Sequence, residues 1–326
     1  MLFHLLVVLR ALFQHLEWHP NMRNIICPTC NGTQKILLYR DTLPVDFDES
    51  LPPSPYSAHY QINRCRNCGL THSSPVMDDA GVSALYEKSS ETNVMPGEED
   101  NVRRTMAGYY NLAAPHLPGR ERMLDVGCDM GFLLETARAD GFAEVWGIEP
   151  VPLARRVAEK IPGSHITAQF FEDTDFPADH FDLIALIHVL DHLFDPRLVL
   201  RRALVNLRPG GVIMAVVHNV DSLLGKVLGE RFPIFNLYHH YFFNKETLAE
   251  LFRRHGFEVL DVVSTQNCYS LGFFAQRLPG IPRAARHTIH RALKSIGLAN
   301  LPITVSVGNI GTVARRPVDA VPHATS

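Results

Sequence analysis

The sequence predicts an α/β fold: a parallel sheet covered by helices on both faces, preceded by a small module rich in loops. Three observations carry this expectation. From Arg120 onward, short apolar runs alternate with segments of helical spacing, the pattern of strands joined by crossover helices. Within that region Met123-Leu124-Asp125-Val126-Gly127-Cys128-Asp129-Met130-Gly131 reads as an apolar strand breaking into a glycine-rich turn, and a carboxylate, Glu149, closes the next strand-like run. Upstream, cysteines stand in two C-x-x-C pairs, Cys27/Cys30 and Cys65/Cys68, in a proline-rich stretch with little periodicity. Such a segment suits a fold held by a metal rather than by a core.

The chain has 326 residues, 46% hydrophobic and 20% charged, with a formal net charge of −3. This is enough for one large domain and a smaller module. The charge balance disfavours a nucleic-acid partner, which leaves a basic footprint. Four of the six cysteines are paired as C-x-x-C, which suits a reducing compartment and a metal rather than disulfides, so a cytoplasmic location is expected. Residues 1–21 form an apolar extension without a basic leader or a small-x-small cleavage site; Arg10 interrupts it, and it is too short for a membrane span. Two readings stand for it: a stretch that precedes the true start at Met22, or a helix lying on a membrane surface.

Residues 22–87 are read as the metal module, and 88–119 as a linker or lid containing a connecting helix between flexible ends. Residues 120–316 form the main domain. Its strands are expected over 123–126, 144–148, 165–168, 183–187 and 212–217, and its helices over 132–139, 152–160 and 196–207, the last stopped by Pro209-Gly210-Gly211. Asn244 caps a helix over 245–255, with Gly256 as its stop. Residues 257–263 and 303–313 read as a closing pair of strands. Between them, 277–298 is an amphipathic insertion carrying Arg283, Arg286, Arg291 and Lys294, which makes a solvated face, or a contact with an anionic acceptor or a membrane surface. Residues 317–326 are a tail.

The turn at Gly127 discriminates between nucleoside ligands. A dinucleotide fold needs G-x-G-x-x-G, and counting from Gly127 those positions hold Gly127, Asp129 and Phe132. A carboxylate at Asp129 repels a pyrophosphate but suits a cationic ligand such as S-adenosylmethionine, with its ammonium and sulfonium.

Further motifs follow in order: Gly147-Ile148-Glu149, then His188-Val189-Leu190-Asp191-His192-Leu193-Phe194-Asp195-Pro196, then Leu207-Arg208-Pro209-Gly210-Gly211. With them, 120–316 resembles the class I S-adenosylmethionine-dependent methyltransferases, whose pattern usually has Gly at the position of Asp129 and Glu at that of Asp191. The resemblance implies a Rossmann-like seven-stranded sheet with the cofactor across the carboxyl ends of its strands. It implies that Gly127 and Gly131 bring backbone close to the methionyl part, that Asp125 or Asp129 accepts from the ammonium, and that Glu149 accepts from both ribose hydroxyls. Glu172 and Asp173 fall where adenine is read, and His188 falls beside the cofactor. The cysteine pairs, with Pro75 and Leu85-Tyr86, are similar to the N-terminal zinc segment of sugar C-methyltransferases. That similarity implies a structural zinc on Cys27, Cys30, Cys65 and Cys68.

In such a fold the methyl acceptor lies beyond the fourth and fifth strands, where His188, Asp191 and His192 cluster and Tyr238, His239, His240 and Tyr241 recur. His239, His240, Tyr238 and His192 are therefore the catalytic candidates, one imidazole serving as general base. His188-x-x-Asp191-His192 also invites a metal reading, because quinone-pathway O-methyltransferases carry an acidic E-x-x-E-H version; a histidine in place of the first carboxylate disfavours a hard cation. The expected function is methyl transfer to a small molecule of the sugar-nucleotide, polyketide or lipid-linked glycan class. The alternatives are an RNA methyltransferase, disfavoured by the low basicity of the cysteine module, and a non-catalytic binding protein.

Overall fold

The computed structural model describes residues 22–43, 58–77, 94–278 and 281–319. The expectations for the N-terminal extension, for 78–93 and for most of the tail fall outside these residues. Five short strands open the chain: β1 (Met22–Arg23), β2 (Lys35–Tyr39), β3 (Ile62–Cys65), β4 (Thr71–Ser73) and β5 (Val76–Met77). Helix α1 (Glu99–Ala113) leads into β6 (Arg122–Val126), α2 (Phe132–Ala139), β7 (Glu144–Ile148), α3 (Pro152–Ala158), β8 (Ser164–Thr167) and β9 (Phe181–Ile187). Then come α4 (Pro196–Asn206), β10 (Leu207–His218), α5 (Leu223–Leu228), β11 (Tyr241–Phe242), α6 (Lys245–Arg254) and β12 (Glu258–Ser264). The last elements are β13 (Asn267–Ser270), α7 (Leu271–Gln276), α8 (Arg283–Ser295), β14 (Pro302–Val305) and β15 (Asn309–Arg315).

The main sheet has seven strands in the order β12-β15-β10-β9-β6-β7-β8. The neighbours from β10 through β8 pair in parallel, and β15 runs antiparallel to both β10 and β12. The central strands are apolar on both faces, with β9 buried from Phe181 to Leu186 and β10 from Val212 to Val217, because helices cover the sheet on each side. Helix starts follow local chemistry. The Asp195 side chain accepts from the Arg197 N–H ahead of α4, whose first residue is Pro196. Asn244 and Thr247 each bind the other's backbone N–H at the start of α6.

Three expectations are corrected. The strand expected over 303–313 is two strands: β14 pairs with β13 in a separate ribbon, and β15 alone closes the main sheet. The chain turns between them at Gly308, whose carbonyl accepts from Asn219 N. The start of α1 is anchored rather than flexible, because buried Glu98 accepts from the Ser270 hydroxyl at 2.5 Å, Ser270 N at 2.9 Å and the Asn101 amide at 2.9 Å; Tyr109, Tyr110 and Ala113 then pack into the core with Leu133 and Leu134. The cysteine module, finally, does have apolar packing. Its sheet has the order β11-β4-β3-β2, so the fourth strand comes from the main domain, with Tyr241 opposite His72 and Phe242 opposite Thr71. Ile62 packs with Phe232, Ile234, Phe235 and Phe242. Helix α8 in the insertion, by contrast, buries no residue.

One side chain stitches three strands together. Asp182, 2% exposed at the start of β9, accepts from Glu121 N at 2.8 Å and Arg122 N at 3.0 Å ahead of and within β6, and from Arg208 Nη1 at 3.1 Å in β10. Asp182→Ala leaves two backbone donors and a guanidinium without their acceptor. It is expected to cost about 3 kcal/mol in urea unfolding; a loss below about 1 kcal/mol would mean that water takes the carboxylate's place.

Candidate active site

The penultimate residue of strand β6 is Asp125, which is 3% exposed and whose Oδ1 has no hydrogen-bond partner among the described residues. The chain then turns through Gly127 at φ 73° and Gly131 at φ 82°. A Cβ on Gly127 would lie 2.8 Å from Val189 Cγ2, and one on Gly131 2.5 Å from Ile161 Cδ1, so both conformation and space demand glycine. Gly127 N and Cys128 N donate to the Ile148 carbonyl at 2.8 and 3.0 Å, holding the turn against the end of β7. Asp129, itself left-handed at φ 45°, donates its N–H to Glu149 Oε2 at 2.9 Å, while Glu149 Oε1 accepts from Val151 N at 2.7 Å.

Three carboxylates thus crowd the ends of β6 and β7. Burial raises the Asp125 pKa well above the ordinary carboxylate value, and the charges of Glu149 and Asp129 add to it. Glu149 is also raised by burial, against two backbone hydrogen bonds that lower it. Such a site is complementary to a cation. Glu172 and Asp173 lie in a single 3-10 turn, Phe171–Asp173, after β8. Burial raises the Glu172 carboxyl, and its charged neighbours are Asp173, Arg202 and Asp195, toward α4 rather than toward the loop acids.

A second constellation sits at the ends of β9 and β10. His188, left-handed at φ 54°, follows β9 and donates its N–H to the Val216 carbonyl at 2.8 Å. Asp191, 2% exposed, accepts from His218 Nδ1 at 3.0 Å through Oδ2. His218 and His188 have ring centroids 4.7 Å apart, His218 and His239 5.0 Å, and His192 and His239 4.5 Å. Burial lowers the pKa of His188 to about 3, and that of His192 and His239 below the ordinary imidazole value. For Asp191 burial works in the raising direction, but the His218 hydrogen bond and the surrounding imidazoles overcome it and hold the carboxyl well below its usual range. Ligand-capable atoms of His188, Asp191 and His218, and of Asp191, His192 and His239, lie within 4.8 Å of one another.

Of the four catalytic candidates, His192 and His239 enter this cluster. His240 does not: it is fully buried, stacked on Phe194 with centroids 4.7 Å apart, its Nδ1 3.3 Å from the Leu193 carbonyl. Consecutive side chains of extended backbone point to opposite sides, so His239 and His240 diverge. Tyr238 packs with Tyr60, Val76 and Leu237 at the edge of the cysteine module, its ring centroid 6.4 Å from that of His192. The residue that sequence reasoning missed is His218. It ends β10, one position beyond the expected strand end at 217, and the available signal was that the carboxyl end of a central parallel strand faces the ligand.

The four paired cysteines converge. Cys27 Sγ is 3.4 Å from Cys68 Sγ and Cys30 Sγ is 3.5 Å from Cys65 Sγ, and all four lie within 4.8 Å of one another. Tetrahedral zinc with Zn–S near 2.3 Å sets sulfur atoms about 3.8 Å apart, so the thiols fit such an ion. The two loops share one hydrogen-bond pattern. Cys27 O accepts from Asn31 N and Cys27 N donates to Gly32 O; likewise Cys65 O accepts from Gly69 N and Cys65 N donates to Leu70 O. Asn31 and Gly69 are left-handed at φ 56° and 78°. The close Cys27–Cys68 pair raises the Cys27 thiol and lowers that of Cys68, as crowding of ionisable sulfurs does.

Known proteins resemble the chain in sequence and in fold. The methyltransferase-domain family matches residues 99–262. The ubiquinone biosynthesis O-methyltransferase of Aromatoleum aromaticum is 29% identical over 175 residues, 47% of this chain and 72% of that protein. Its Alkalilimnicola ehrlichii counterpart is 30% identical over 168 residues, 47% of this chain and 63% of that one. The Pectobacterium atrosepticum counterpart is 28% identical over 136 residues, covering 54% of its length. The chain therefore spans between about half and seven-tenths of these relatives. Among solved structures, a chain of the complex between the Haloferax volcanii Trm112 methyltransferase activator and a methyltransferase superposes with a TM-score of 0.51 at 17% identity, over 73% of this chain and 97% of that one; this likeness concerns the fold. The chain belongs to the methyltransferase-domain family and has the fold of its class I, S-adenosylmethionine-dependent members.

Proposed function

We propose that this protein transfers the methyl group of S-adenosylmethionine to a hydroxyl of a small molecule, with an imidazole of the His188, His192, His218 and His239 cluster taking up the proton. The observation that carries this reading is how closely Val189, the residue after His188, approaches Gly127: a Cβ there would lie 2.8 Å from Val189 Cγ2. That proximity supports reading the acidic loop and the histidine cluster as two sides of one site, a cation site beside a proton acceptor. Asp125 and Asp129 would hold the ammonium, Glu149 the ribose diol, Gly127 and Gly131 the methionyl backbone, and His188 the face toward the acceptor. Phe170, 56% exposed beyond β8, offers a ring face to adenine, with Glu172 and Asp173 as acceptors for its amine. When bound, the cofactor supplies an electrophilic methyl on a sulfonium. The chain's own contribution is to orient it, exclude water and receive a proton.

The O-methyltransferase names of the relatives favour oxygen as the nucleophile, and the acceptor class stays that of a small molecule. In the same reading Cys27, Cys30, Cys65 and Cys68 bind a structural zinc, because a closed four-thiolate site leaves no position for substrate. No helix among the described residues is long and apolar enough to cross a membrane, and the unpaired thiols suit a reducing, cytoplasmic setting.

Three outcomes test this. In calorimetric titration S-adenosylmethionine binds the full chain, and Glu149→Gln weakens it by about tenfold or more, the worth of a charge-assisted hydrogen bond; absence of binding by the wild-type chain at saturating concentration overturns the reading. The second concerns pH. Asp125 keeps in the folded state a proton that the unfolded chain has released, so ligand-free stability is greatest below the ordinary carboxylate pKa and declines as pH rises through the higher folded value. Asp125→Asn is expected to flatten that decline above the ordinary carboxylate pKa while weakening cofactor binding; parallel plots of unfolding midpoint against pH for the two proteins would refute the assignment. Third, metal analysis should give about one zinc per chain, and stripping it should lower the unfolding midpoint by on the order of 10 °C. A metal-free chain with the same midpoint would remove zinc from the account.

A further inference from the structure

We propose that His218 is the general base of the methyl transfer and that Asp191 is the residue that positions it. The inference rests on the methyl-transfer reading above and deepens it. Asp191 Oδ2 stands 3.0 Å from His218 Nδ1, so Nδ1 carries the proton and Nε2 presents its lone pair. Asp191 is held in place by burial and by its main chain. It is 2% exposed, and its own main-chain carbonyl accepts from His240 N at 2.8 Å and Tyr241 N at 3.2 Å, which ties it to the backbone entering β11. The His218 side chain retains 31% exposure, whereas His239 retains 7% and has its Nδ1 2.7 Å from the Ile234 carbonyl. Within the cluster, then, the imidazole paired with a carboxylate is also one that an acceptor can reach.

The groups facing His218 are His188 and Asp191 from the end of β9 and the chain after it, His192 one residue further, and His239 from the approach to β11. Burial keeps the three other imidazoles neutral. Asp191 thus supplies the negative charge that stabilises the imidazolium once the proton arrives, as the carboxylate does in a Ser-His-Asp triad. In the step itself the acceptor O–H bond breaks and its proton passes to His218 Nε2. The oxygen lone pair forms the new C–O bond with the methyl carbon as the S–CH3 bond breaks, its electron pair returning to sulfur. The products are the methyl ether, S-adenosylhomocysteine and an imidazolium beside Asp191, which then loses its proton to water. His188, left-handed at φ 54°, pins the strand end next to His218 through its bond to the Val216 carbonyl; a non-glycine residue in that region is retained where surrounding structure requires it.

The test uses the full chain with methyl-tritiated S-adenosylmethionine and hydroxylated acceptors, starting with catechol, alongside nitrogen-detected NMR of the imidazoles. NMR should show His218 as the Nδ1–H tautomer, with its signals displaced by Asp191→Asn. His218→Gln should lower kcat by about a hundredfold or more, the usual contribution of general base catalysis, abolish the acid limb of the kcat profile, and leave cofactor affinity and acceptor KM within about threefold. Asp191→Asn should reduce kcat less and move the acid limb to lower pH, since the imidazolium loses its counter-charge; a purely structural role for Asp191 would not move that limb. The proposal falls if His218 is the Nε2–H tautomer, if His218→Gln keeps the acid limb, or if the purified chain carries a second divalent metal that His218→Gln removes. Failure of the wild-type chain to bind S-adenosylmethionine overturns instead the methyl-transfer reading on which the proposal stands.

Discussion

Asp125 and Asp191 are buried at 3% and 2% exposure, one near the end of β6 and the other following the neighbouring strand β9, and the cost of burying a carboxylate governs both positions. An isolated ionised carboxylate in apolar surroundings is too expensive to keep. The protein meets that constraint in opposite ways at the two positions. Asp191 is given an imidazole at 3.0 Å, which favours its charged form; Asp125 is given further acids, which with burial favour its protonated form. One carboxylate is therefore balanced by the protein, and the other is ionised most readily beside a cation.

The cysteine module is joined to the strand ends around Asp191 by backbone hydrogen bonds. Strand β11 extends the module's sheet, and the residues entering it bind Asp191: His240 N and Tyr241 N donate to its carbonyl, while His240 O accepts from Ser73 N. Ser73 belongs to β4, the partner of β3, which ends at Cys65. A short run of backbone hydrogen bonds thus connects Cys65 to Asp191, and the Ser73 hydroxyl adds a side-chain bond to the His239 carbonyl at 3.1 Å.

Much of this was legible in the sequence where the signal is local. The turn from Gly127 to Gly131, the acid at Glu149, the cap at Asn244 and the order of strands each depend on residues close in the chain, and the structure has them as read. What was hidden depends on contacts between distant residues or on a single position of register. His218 was lost because the apolar run of β10 ends at Val217 and the next residue carries no apolar signal. His239 and His240 looked equivalent because adjacency does not tell which of two buried side chains turns toward the cluster. The module looked coreless because its apolar partners, Phe232 to Phe242, lie far downstream. The split of 302–315 between two sheets follows from which partner strand is within reach, and periodicity is the same on either side of the turn.

Strand β11 has a consequence for how this protein can be divided. It pairs through Tyr241 and Phe242 with Thr71 and His72, so two residues in the middle of the transferase region are also the outer strand of the cysteine sheet. A cut anywhere between the module and α1 would leave that strand's hydrogen-bonding edge open and Phe232, Ile234 and Phe235 without Ile62 beneath them. Exchange of the module between relatives would carry the same penalty unless residues 232–243 travelled with it. The unit that folds, and the unit that can be inherited or engineered as one piece, is interleaved along the chain rather than contiguous.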